Sequence, residues 1–170
     1  PTAGSTTPAS ITVASGTYTD AAGNAGGAGT TPSISIDTMP TIINGGVVAG
    51  PVLSGNGLTV EAYKANGQGL AGGSANINSD GTFSMTLAEP YTGAVLLRVH
   101  DTSSGVDYFD EATGKPKDLT SDLRAATALP TPGTYTVNIN ALTELAVRKL
   151  GLGSGDAGTS ATALGNITGV

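Results

Sequence analysis

The side chains able to do chemistry in this chain are few, and most of them are carboxylates. Its 170 residues include 13 Asp and Glu, 7 Lys and Arg, one His and no Cys. Without cysteine there is no disulfide framework, no thiolate metal site and no thiol nucleophile. The single imidazole, His100, stands beside Asp101 at the end of an alternating run. Adjacent strand residues point to opposite faces, so these two are poorly placed to act as a base and its orienting partner. The glycines fall in turns between strands, where they cannot form a phosphate cradle opening a helix. No constellation for catalysis results, and the expectation is a protein that is not an enzyme. The carboxylates suit calcium better, because Ca²⁺ takes about six to eight oxygens from carboxylates, Asn side chains and carbonyls. Two groups are candidates: Asp20 and Asn24 in one loop with Asp37 further on, and Asp101, Asp107, Asp110 and Glu111. Neither has the spacing of an EF-hand loop. The polar excursion 101–118 also carries Tyr108 and Phe109, candidates for contact with a sugar or peptide, since long loops on rigid scaffolds often bind ligands.

These residues must be positioned by strands. With 26 Gly, 9 Pro, 12% charged and 4% aromatic residues, the composition favours short strands joined by many turns. The 38% hydrophobic content falls in alternating clusters, which disordered chains lack. Ile11 to Val13 and Ser33 to Ile36 alternate around a small-residue loop, Asp20 to Gly29, and Asp37-Thr38-Met39-Pro40 reads as a linker. From Thr41 the signals are denser. Gly45 to Leu53, Leu58 to Tyr63, Thr82 to Leu87 and Gly93 to His100 read as strands, with turns at Asn66-Gly67 and Asp80-Gly81. Phe83, Met85, Leu87, Val95, Leu97 and Val99 are the expected core. Residues 118–129 read as helical or irregular, and Thr134 to Ile139 returns to alternation. One helix is expected over about 141–150, capped by Asn140 and closed by Gly151, with Leu142, Leu145, Ala146 and Leu150 as its apolar stripe.

The run Ile11 to Asn24, with Tyr18-Thr19-Asp20-Ala21-Ala22-Gly23-Asn24 at its end, continued by Ser33 to Pro40, resembles the end of one of the tandem Ig-like repeats of large bacterial adhesins. In that family such a loop joins the last two strands, and an Asp-Thr-x-x-Pro motif crosses to the next repeat. Here Asp37-Thr38-Met39-Pro40 is one residue shorter. The segments Val47 to Val52, Leu58 to Gly67, Ser79 to Ser84 and Leu96 to Val99 resemble the transthyretin-like, carboxypeptidase-regulatory type of sandwich. The first resemblance implies calcium at the linker. Related Gram-positive sandwiches form Lys–Asn isopeptide bonds, for which Lys64, Glu61 and Asn138 are the nearest candidates by residue type.

The expected fold is therefore all-β: an Ig-like β-sandwich with one short helix near the C-terminus, preceded by the terminal strands of another Ig-like repeat. Residues 1–40 form the partial repeat and linker, and 41–170 form the sandwich, truncated at its C-terminal end. The expected role is a spacer of a secreted or cell-surface bacterial adhesin or fibre, supporting attachment or biofilm formation and open to assembly by strand complementation. Its partners would be neighbouring repeats or copies of the same protein, with glycan or peptide recognition on a host or neighbouring cell as the alternative. A net charge of −6 and a pI of 4.4 argue against nucleic acid. No apolar run approaches the roughly 20 residues of a membrane span, and residues 1–20 lack a signal-peptide pattern.

Overall fold

A computed structural model describes residues 4–151, so the expected C-terminal truncation, in the tail 153–170, lies outside the described residues. The chain divides between Met39 and Pro40 into two compact units.

The first unit is one long hairpin. Strands β1 (Thr12–Val13) and β2 (Gly29–Thr30) pair antiparallel, Val13 opposite Gly29. Backbone bonds extend the ladder both ways, through Ile34 N to Ala9 O at 2.7 Å and Thr38 N to Ser5 O at 2.9 Å on one side, and Gly26 N to Tyr18 O at 2.8 Å on the other. The tip closes at Asp20 and Asn24, where the Asp20 N–H donates to the Asn24 carbonyl at 3.0 Å. Two strands have one pleated layer and no second layer of their own. Ile11 and Ile34 accordingly remain 66% and 56% exposed.

The second unit is a β-sandwich. Its first sheet has the order β10 (Leu123–Leu129), β7 (Gly93–Asp101), β4 (Leu58–Lys64), β5 (Gly69–Asn76), antiparallel throughout. In the second, β3 (Ile42–Val48) pairs antiparallel with β6 (Thr82–Thr86) on one side; on the other lie β11 (Thr134–Thr136) and then β12 (Ile139–Asn140), both parallel to it. Alternation decides what enters the core. Leu58, Val60 and Ala62 of β4 and Val95, Leu97 and Val99 of β7 meet Ile43 and Val47 of β3 and Phe83 and Met85 of β6 between the sheets. Between β11 and β12 the chain runs close against β3. A Cβ at Gly45 would collide with the Val137 carbonyl oxygen and the Phe83 ring, so the second-sheet backbones can approach here only at glycine. The Asp80-Gly81 hairpin turn uses Gly81 at φ +81°.

The stretch expected to be helical or irregular supplies β10, which pairs with β7 over its whole length, Leu123 opposite Val99 and Leu129 opposite Gly93. Its run of Ala and Thr is weak in either pattern, and the Val99 edge of β7 decides it. A short hairpin, β8 (Tyr108–Asp110) and β9 (Lys115–Lys117), fills the polar excursion.

Helix α1 (Ala141–Lys149) starts at a capping box. Asn140 Oδ1 accepts from Leu142 N and Thr143 N at 2.9 and 3.1 Å, and Thr143 Oγ1 accepts from Asn140 N at 2.9 Å. Of the expected stripe only Leu150 packs against the sheet, and the buried face centres instead on Glu144 and Val147. Leu142 and Leu145 are 76% and 51% exposed, while Val147 packs against Ala94 and Leu96 on the outer side of the first sheet. The cause is Arg124 of β10, which is 0% exposed and takes Glu144 as its counter-ion. Leaving these two charge-assisted bonds to a buried guanidinium unmade costs more than two exposed leucines, so the ion pair sets the helix rotation.

Candidate metal centre

Three acidic residues, Asp101 and Asp107 of the second group and Asp118, come from three points around the excursion. β7 ends at Asp101, whose Oδ1 accepts from Ser103 N at 2.8 Å, and Thr102 ties the same corner to Gly57 O through its N–H at 3.0 Å and its hydroxyl at 2.6 Å. Asp107 enters just before β8 and is 0% exposed. Its backbone N–H donates to Lys117 O at 2.8 Å, and its carbonyl accepts from Leu53 N at 2.7 Å. Its carboxylate accepts from Gly57 N at 3.0 Å and Leu119 N at 2.9 Å, joining three segments remote in sequence. Asp118 follows β9 directly.

The register of the small hairpin places Tyr108 opposite Lys117, so the next pair outward is Asp107 and Asp118. One carboxylate oxygen each from Asp101, Asp107 and Asp118 lies within 4.8 Å of the others. Asp118 Oδ1 is shut off from solvent and has no hydrogen-bond partner. Burial, and next the negative charges of Asp101 and Asp107, push the Asp118 carboxyl above its ordinary range.

The other expected ligands are elsewhere. Asp110 faces away from the cluster and binds Lys117 Nζ at 2.7 Å and Thr113 Oγ1 at 2.7 Å; Lys117 foremost, then Thr113, holds its carboxyl down at about 2. Glu111 is exposed in the turn between β8 and β9. Asp20 and Asn24 do meet, but through bonds to each other: Asp20 accepts from Asn24 Nδ2 at 2.8 Å and from Asn24 N at 2.9 Å, and the side-chain bond is the chief reason its carboxyl lies below the usual range. Asp37 Oδ1 accepts from Met39 N at 3.0 Å. It sits beside the Ser5–Thr38 end of the hairpin while Asp20 sits at the tip, about 15 residues of extended strand away. At roughly 3.3 Å per residue the two cannot share an ion within one arm.

Tyr108 and Phe109 point to opposite sides of β8 and make no common platform. Tyr108 lines a cleft of about 330 Å³ with Val48, Ala49, Leu119, Thr120 and Ser121. The carboxylate beside His100 is Asp122 and not Asp101: His100 Nδ1 lies 3.7 Å from Asp122 Oδ1, and Arg98 Nε donates to Asp122 Oδ2 at 2.7 Å. Glu61 and Lys64 are on β4 of the first sheet, whereas Asn138 lies along β3 in the second and accepts from Gly46 N at 3.0 Å.

Sequence reasoning missed Asp118. The signal was present: had Lys115-Pro116-Lys117 been paired with Tyr108-Phe109-Asp110 as a hairpin, Asp118 would have fallen opposite Asp107.

No family model matches this chain, and no curated protein or solved structure matches it. Among the described residues no helix is long and apolar enough to cross a membrane.

Proposed function

We propose that this chain is a structural spacer of a bacterial cell-surface adhesin or fibre, working through contacts with neighbouring repeats or further copies of itself. The observation that carries the reading is the arm of residues 4–38, a hairpin whose Ile11, Val13, Tyr18 and Ile34 stand exposed with no second layer of their own. Such a ribbon is marginal alone in water and gains stability when another surface covers its apolar side. Strand addition to a neighbour is one route to that cover. Two copies joined head to tail in one polypeptide test the reading. Elongated particles of regular length by electron microscopy and small-angle scattering are expected, and two freely tumbling beads would overturn it.

A recognition role is favoured by one observation, the cleft beside Tyr108, where an aromatic ring and the hydroxyls of Thr120 and Ser121 meet the apolar Val48, Ala49 and Leu119. An aromatic face with adjacent hydroxyls fits a sugar ring or a short peptide. Binding on a glycan or peptide array that disappears in Tyr108→Ala supports this role, and an array on which nothing binds removes it.

A further inference from the structure

We propose that Asn66, in the turn between β4 and β5, is a site of spontaneous covalent modification, in which its side chain closes on Gly67 to a succinimide that water opens to aspartate or isoaspartate. The sequence has three Asn-Gly pairs, Asn44-Gly45, Asn56-Gly57 and Asn66-Gly67. Glycine leaves the nitrogen that follows asparagine unshielded, which makes each pair chemically labile. In the reaction the Gly67 nitrogen gives its proton to hydroxide and bonds to Asn66 Cγ. The Cγ–Nδ2 bond breaks, and Nδ2 leaves as ammonia, taking a proton from water and regenerating the hydroxide. Water then adds to either imide carbonyl: opening at Cγ gives aspartate, and opening at the main-chain carbon gives isoaspartate.

The fold separates the three pairs. Asn44 and Gly45 lie inside β3, opposite Ser84 and Phe83 of β6, and Asn44 is also opposite Thr136 of β11. Ring closure needs the peptide between the pair to rotate out of the ladder, and the Val137 carbonyl and the Phe83 ring leave no room at Gly45 even for a methyl. Asn56 is held at every polar atom of its side chain: Nδ2 donates to Leu53 O at 2.8 Å and to Ile77 O at 3.3 Å, and Oδ1 accepts from Leu58 N at 3.0 Å. The Gly57 nitrogen donates to the carboxylate of the buried Asp107 at 3.0 Å. Attack at Asn56 requires all of these bonds to break together.

Asn66 is exposed, and among the described residues its Nδ2 donates to no protein atom, so the leaving group departs into water. Its Oδ1 accepts from Gln68 N at 3.0 Å, which folds the side chain over the Gly67 peptide and draws electron density from Cγ. One bond opposes the attack, from Gly67 N to Lys64 O at 2.9 Å. It slows the folded chain relative to the unfolded one and leaves Asn66 the fastest of the three. The product alters the sheet. Isoaspartate lengthens the main chain by one carbon inside a turn that Gly67 N to Lys64 O and Lys64 N to Gln68 O, at 2.8 Å, hold closed. The next pair, Tyr63 opposite Gly69, is cut off from the rest of the ladder by the register shift between Glu61 and Tyr63. Conversion therefore frays this end of β4 and β5 and adds one negative charge.

The test incubates the full chain in warm, mildly alkaline buffer, with and without unfolding guanidinium chloride, and maps its peptides by mass spectrometry with enzymatic labelling of isoaspartate. In the folded chain the Asn66 peptide is expected to convert about tenfold faster, or more, than the peptides of Asn44 and Asn56, a difference in barrier set by the fold. In guanidinium chloride the three are expected to convert at similar rates, because each is then a flexible Asn-Gly pair. Asn66→Gln, whose longer side chain closes its ring far less readily, is expected to fold and to lose the early acidic variant seen on ion exchange. Conversion of Asn44 or Asn56 as fast as Asn66 in the folded chain would overturn the proposal. So would an Asn66 that stays intact in the folded chain while all three convert in guanidinium chloride, or an early acidic variant that persists in Asn66→Gln.

Discussion

Arg124 and Glu144 hold each other at two points, Nε to Oε2 at 3.0 Å and Nη2 to Oε1 at 2.8 Å, and the guanidinium is fully buried beneath the helix. Arg148 adds a third bond to Glu144 at 2.6 Å from one turn further along α1. The pair is the polar link between β10 and the helix, beside the apolar contact of Val147 with Leu96. Removing Glu144 takes away the carboxylate and both charge-assisted bonds from a buried guanidinium, so Glu144→Ala is expected to cost about 3–5 kcal/mol in urea unfolding. Arg124→Met combined with Glu144→Leu is expected to recover much of that loss; a double variant as unstable as the sum of the singles contradicts this account.

The same pair gives the sandwich an acid limit. Burial acts to raise the Glu144 carboxyl, but its bonds to Arg124 and Arg148 outweigh burial and hold it below the ordinary value of 4.5. A group with a depressed folded value contributes stability that is complete above its unfolded value and is lost as pH falls through the folded one. Unfolding free energy is therefore expected to decline below about pH 4.5, and Glu144→Gln is expected to flatten that decline. Denaturant titrations at pH 7, 5 and 3 measure both.

Gly45 is irreplaceable for steric reasons and Gly69 is not. Gly45→Ala drives a methyl into the Val137 carbonyl and the Phe83 ring, and is expected to destabilise by about 3 kcal/mol or more, or to part β11 from β3. Gly69 has open space around it and an ordinary backbone, so Gly69→Ala is expected to stay within about 0.5 kcal/mol. Equal effects at the two positions would disprove the close-approach argument.

The arm and the sandwich are separate compact units, so their responses to substitution separate as well. Ile11→Asp with Ile34→Asp is expected to leave the main melting transition unchanged within about 2 °C. It is also expected to abolish concentration-dependent association in sedimentation runs. Association that survives both charges would exclude the apolar side of the arm as the contact surface.

The sequence by itself determined the β character, the inward-facing residues of the strands and the capped start of α1, because these follow from periodicity and local chemistry. Alternation put Phe83, Met85, Val95, Leu97 and Val99 on one side of their strands, and all five are buried between the sheets. Asn140 began the helix through its own side chain, whatever lies nearby. Only the tertiary structure decided which face of that helix turned inward, that 123–129 is a strand, and which acids converge. Each of those depends on a partner remote in sequence: Arg124 for Glu144, β7 for β10, and Asp101 and Asp107 for Asp118. Alternation tells a side chain which face it lies on, but the charge or backbone that meets it there is brought by the fold, and for buried charges that meeting outweighs local preference.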